Sequence, residues 1–155
     1  MSFARTALQR SLPIVLVAAA AAGSLAWSNA RPAAPRAAND AIEQAMDQLQ
    51  QSMKALGKGI TAETKSASLD ELAKMESAIL AAKVQTPDTA AAVDEKKRPA
   101  FVAEFRANLC EALKLVCDAE IAVVNDKFKD AEGVLRGKLG SLKSAGHDKF
   151  KGKDK

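Results

Sequence analysis

"AIEQAMDQLQQSMKAL", residues 41–56, decides the fold. Ile42, Met46, Leu49, Met53 and Leu56 recur at spacings of four and three, which sets them along one stripe of a helix. Glutamines and acids occupy the other side, so the helix has one apolar face to bury. Asp40 and Glu43 stand three apart just ahead of the stripe and predict a capping box at the helix start. "GKG" at 57–59 ends the pattern.

The same reading recurs three times downstream. Ser68 and Glu71 form a second expected capping box, followed by Leu69, Leu72, Met75, Ile79 and Leu80. "QTPD" at 85–88 stops that helix, and "TAAAVDEKKR" connects it to a third. Pro99 suits a first helical turn, and Phe101, Phe105, Leu109, Leu113, Val116, Ile121 and Val124 give the third stripe. "NDK" at 125–127 reads as a tight turn. Phe128, Ala131, Leu135, Leu139 and Leu142 mark a fourth helix running toward His147, the only histidine of the chain. Gly133, Gly137 and Gly140 weaken that helix by about 1 kcal/mol each relative to alanine. Strand-like alternation is absent, so the expected fold is all-α: an up-down-up-down antiparallel four-helix bundle over residues 40–150.

The flanks read differently. Residues 1–30 have Arg5 and Arg10, then the apolar run "LPIVLVAAAAAGSLAW", then Ser28 and Ala30 as small residues at a cleavage site. That is the layout of a secretory signal peptide, and it predicts export to a periplasm-like space. The run is shorter than the ~20 apolar residues a membrane span needs, so no stable membrane association is expected after cleavage. Residues 31–39 read as a disordered Pro/Ala leader, and 151–155 as a disordered basic tail. Removing the two arginines of residues 1–30 leaves 21 basic and 19 acidic residues, a charge of only +2. No basic stripe with interleaved aromatics is present, so nucleic acid is not an expected partner. Cys110 and Cys117 lie seven apart on one helix, about 10 Å along the axis. A disulfide needs Cα atoms within roughly 7 Å, so the two should not pair with each other. The chain is expected as a monomer, with a disulfide-linked dimer as the alternative.

In an up-down-up-down bundle the start of the first helix and the end of the fourth share a pole. Met46 and His147 then come together, though 101 positions separate them. Thioether sulfur and imidazole nitrogen are axial partners for haem iron, and a porphyrin needs flat apolar walls. Phe105 and Leu109 are candidates for one wall, Leu49 and Met75 for another. Taken singly, a methionine in a stripe is ordinary core and a histidine near a terminus is ordinarily solvated.

At these residues the sequence resembles the cytochrome b562 family of soluble periplasmic four-helix b-type cytochromes. The resemblance runs over about residues 40–151. "AIEQAMDQLQQSMKAL" resembles the family's first helix and "SLKSAGHDKFK" its C-terminal segment. "FRANL" and "NDKFKDAE" resemble its third helix and following turn, with one extra residue here between that turn and His147, within 133–146. The resemblance implies Met46 and His147 as iron ligands, and Phe105, Leu109 and, by a looser match, Met75 as haem-packing residues. The thioether motif C-x-x-C-H of a related class reads Lys143, Ser144, Ala145, Gly146, His147 here, so the expected cofactor is one non-covalent haem b per chain.

The expected function is one-electron transfer between unidentified redox partner proteins, with both axial positions filled and no catalysis. The alternatives are a haem-free periplasmic interaction bundle and a haem storage or delivery protein.

Overall fold

The computed structural model describes the backbone of residues 35–151 and side chains from Asp40 onward. The signal-peptide reading of residues 1–30 falls outside the described residues, as do positions 31–34 of the leader and 152–155 of the tail. Every regular element among the described residues is helical.

Helix α1 spans Pro35–Leu56, so it begins ahead of the expected start. Proline fits a first helical turn and alanines carry the helix forward, so Asp40 and Glu43 lie inside it and form no terminal box. Helix α2 spans Lys65–Lys83 and also begins early. Thr61 N–H donates to Thr64 Oγ1 at 2.9 Å, and Thr64 N–H to Thr61 Oγ1 at 3.4 Å. This reciprocal pair turns the chain into helix before Ser68, which is buried within α2 instead of capping it. Glu71 is released from the expected capping role as well. It accepts from Ser52 Oγ of α1 at 2.7 Å and pairs with Lys74 at 2.7 Å. The Lys74 and Ser52 hydrogen bonds hold the Glu71 carboxyl below its ordinary pKa.

A 3₁₀ turn at Asp88–Ala92 leads into α3, Arg98–Val124, with Pro99 in its first turn as expected. The α3 stripe holds through Val116 and then departs from the expected one. Ala119, Ala122 and Val123 are buried, while Ile121 is 61% and Val124 54% exposed. Counting from Val116 at 100° per residue, Val123 falls about 20° off the stripe and Ile121 about 140° off. Leu80 is 46% exposed for the same reason, five positions from the buried Met75. The turn at 125–127 forms as expected, with Asp126 at φ 60°. Lys65 Nζ fastens it, reaching Asp126 Oδ1 and Val124 O at 2.8 Å each.

The fourth rod is not one regular helix. It consists of α4 (Phe128–Gly133), a six-residue π turn (Val134–Leu139) and α5 (Gly140–Phe150). The four rods run antiparallel in sequence, α1 on α2, α2 on α3, and α3 on the fourth rod. Leu72, Met75, Ile79, Val116 and Val123 fill the centre. The structure is the expected all-α four-helix bundle.

Candidate functional site

One side of the bundle is closed at one pole only. Near the α1–α2 loop, Ile60 N–H donates to Glu132 Oε1 at 3.2 Å and Arg136 Nη2 to Gly57 O at 3.0 Å. The Ile60 hydrogen bond, then Lys129, hold the Glu132 carboxyl below its ordinary pKa. Met53, Leu56 and Leu135 meet there around a cavity of about 20 Å³. Beyond that clasp α1 makes at most marginal contact with α5, whereas α5 packs on α3.

The sequence of α1 shows which of its apolar residues stay only partly buried. Ala45, Ser52 and Leu56 are buried and lie within about 40° of one another on the helix. Leu49, Ile42, Met53 and Met46 continue the apolar arc about 40–100° from Ala45, and all four are only partly buried. Met53 lines the cavity shared with Leu135, so this arc is the one turned toward the fourth rod. The opposite flank, Ala41, Gln44 and Gln48, borders a shallow groove with Ala73 and Ser77 of α2.

On the other wall, α5 devotes one side to α3. Gly146 lies so close to it that a Cβ would meet Asn108 Oδ1 at 2.8 Å. Phe150 stands edge-on to Phe101 and Phe105, with centroids 5.3 and 5.4 Å apart, and Lys149 pairs with Glu104. Thr89 Oγ1 donates to Phe150 O at 2.9 Å and ties this pole to the 3₁₀ turn. His147 follows Gly146 by about 100° around the helix, away from that contact. It is exposed, and its imidazole has no hydrogen bond or ion pair among the described residues.

The clasp sets the register between the two walls. Gly57 faces Arg136; Met46 is eleven residues before the first and His147 eleven after the second. Eleven residues at 1.5 Å each carry both about 16 Å from the clasp. Side chains lean toward their own helix N-terminus, so from this shared level Met46 leans away from the clasp and His147 toward it, which staggers the two side chains along the axis.

The other expected site residues are less accessible. Leu49 is in the partly buried arc. Phe105 and Leu109 are each 5% exposed, the first against Phe150. Met75 is 0% exposed and belongs to the central core. Sequence reasoning passed over Ile42 and Met53 as crevice residues, although their angular offset from Ala45 and Leu56 was available. It also gave no role to the packing of Phe150 on α3, which depends on tertiary contact.

The class this fold defines is the antiparallel four-helix bundle, here with a partly buried apolar arc on its first helix and an exposed imidazole near the end of its last. The family model for cytochrome b562 matches residues 41–151, most of the described chain, and the chain belongs to that family. The family is one of haem-binding electron-transfer cytochromes with b-type haem. Curated proteins contain no significant match to the chain. Among the described residues no helix is long and apolar enough to cross a membrane.

Proposed function

We propose that the protein carries one electron at a time on a single, non-covalently held b-type haem in the crevice between α1 and α5. The supporting observation is the partly buried apolar arc Ile42, Met46, Leu49 and Met53 on the side of α1 turned toward the fourth rod, which carries an imidazole with no protein partner. The residues fit a flat apolar group with one donor atom needed on each face. When bound, the haem supplies the one-electron couple of its iron. Met46 Sδ and His147 Nε2 are the two axial donors in this reading. With both positions taken by the protein, no site is open for a substrate, so the chain acts as a carrier and not as an enzyme. The apolar arc excludes water and, with the thioether, favours the less charged reduced iron. Covering those four side chains contributes on the order of 1 kcal/mol each to holding the cofactor. Phe105, Leu109 and Met75 serve behind this wall and hold its shape.

Two features support non-covalent attachment. Lys143 and Gly146 stand where a thioether motif has cysteines, and a Cβ at Gly146 would require the Asn108 carboxamide to shift. The N-terminal pattern of residues 1–30 supports export, followed by action in the periplasm with soluble redox proteins as partners.

A visible spectrum of the protein purified after expression of the full chain tests the reading. A low-spin haem spectrum is expected, with the pigment extractable by acid acetone. His147→Ala should weaken haem retention strongly. Met46→Ala should shift the bound spectrum toward high spin with smaller loss of affinity, because imidazole is the stronger ligand. A parent protein without haem, or both variants with the parent spectrum, would refute it.

A further inference from the structure

The π turn at Val134–Leu139 interrupts the rod that carries His147. Gly140 N–H donates to Leu135 O, five residues back, so this turn holds one residue more than an α turn does. Its effect on His147 follows from counting. Twelve residues separate Leu135 from His147. At 100° each they would put His147 about 120° around from Leu135 in a regular helix. With one residue absorbed by the wide turn, the offset falls to about 20°.

Leu135 and, one turn earlier, Ala131 are buried, so the direction of Leu135 is the bundle interior. Past the wide turn the apolar stripe of α5 no longer points that way. Gly146 abuts Asn108, and Phe150 stands on Phe101 and Phe105, all of α3. By this count the flank that carries His147 takes the direction Leu135 has, on the side of α1's partly buried arc, with the imidazole itself exposed.

The local sequence lowers the cost of the wide turn. Gly133, Gly137 and Gly140 fall within eight residues, and each disfavours regular α-helix by about 1 kcal/mol. A Cβ at Gly133 or at Gly137 would meet nothing within 4 Å, so these two glycines do not serve close packing.

We propose that the wide turn is a positioning device: by absorbing one residue it sets the rotation of α5 so that His147 faces the crevice. The proposal rests on the haem reading for its spectroscopic arm only. Deleting Gly137 should convert the segment to regular α-helix and leave His147 in the same direction. The haem-loaded variant should keep the parent's low-spin spectrum, and the cofactor-free variant should be at least as helical as the parent. Inserting one alanine after Gly137 should instead turn His147 by about 100° and give a high-spin spectrum in a folded protein. A low-spin insertion variant, or a deletion variant that loses the low-spin spectrum or fails to fold, would overturn the proposal. If the insertion variant does not fold, the deletion variant decides alone. A through-hydrogen-bond NMR coupling from Gly140 N to the Leu135 carbonyl in the cofactor-free parent tests the wide turn itself, and its absence overturns the proposal. A parent that shows this coupling but binds no haem refutes the function and leaves the wide turn standing.

Discussion

Met75→Ala separates core from cofactor wall. Met75 is 0% exposed, between Leu72 and Ile79 in the sequence of α2, and belongs with Val116 to the central cluster. The substitution removes three heavy atoms, and at about 24 cal/mol per Å³ an unrelaxed cavity of roughly 75 Å³ costs about 1.8 kcal/mol. Lost transfer free energy adds on the order of 1.5 kcal/mol, so about 3 kcal/mol is expected, inside the usual range for this change. A domain of this size has a total stability of about 5–15 kcal/mol, so the cofactor-free protein should remain folded with a midpoint lower by roughly 10 °C. Urea unfolding of the cofactor-free and haem-loaded forms measures both losses. A residue that only supports the crevice gives similar losses in the two forms and weakens haem binding less than tenfold. Loss of under 1 kcal/mol without haem, together with haem binding weakened a hundredfold, would show that Met75 is itself the wall and not part of the central core.

Three further outcomes follow from the geometry. Glu132 is held below its ordinary pKa by Ile60 N–H, so its contribution is present above the unfolded value near 4.3 and is lost as pH falls through the folded value. Glu132→Gln should therefore lower the thermal midpoint at pH 7 and match the parent near pH 3; equal midpoints at pH 7 would refute the clasp. Glu120 is shifted the other way, raised by its hydrogen bond with Glu76 and by burial, so the pair destabilises the fold increasingly as pH rises through the folded value. Glu120→Gln should stabilise at pH 7 and lose that advantage below about pH 4; a constant difference across that range would refute the raised Glu120 pKa. Cys110 is exposed, while burial and the Glu76 hydrogen bond push the half-buried Cys117 thiol up. Thiol labelling of the native protein should find Cys110 first, and Cys110→Ser should abolish any disulfide-linked dimer that Cys117→Ser leaves intact.

What the sequence reveals is what depends on periodicity. The stripe from Ile42 to Leu56 and the turn at 125–127 fix the helices and their order, because burying one apolar face per helix leaves few arrangements. Start signals are weaker, since a capping box competes with other local hydrogen bonds. Thr61 and Thr64 take the start of α2 away from Ser68, and Glu71 is worth more to Ser52 than to a helix end. Long helices also outrun a stripe of large apolar residues, and alanines at 119 and 122 carry the core where Ile121 and Val124 were expected to. The crevice is harder to read, because it is defined by packing that does not occur. A sequence shows that Met46, Leu49 and Met53 are apolar. It does not show that Ala45, Ser52 and Leu56 are buried while these three stay only partly so. The rotation of His147 lies further out of reach. A straight-helix count sets it at the edge of its own stripe, and one i→i−5 hydrogen bond at Gly140 changes that angle by a whole residue. The glycines that weaken the fourth helix, and the one extra residue within 133–146, are the traces of this in the sequence. They announce that the helix departs from regularity without saying in which direction, and that direction determines what the only imidazole of the chain can reach.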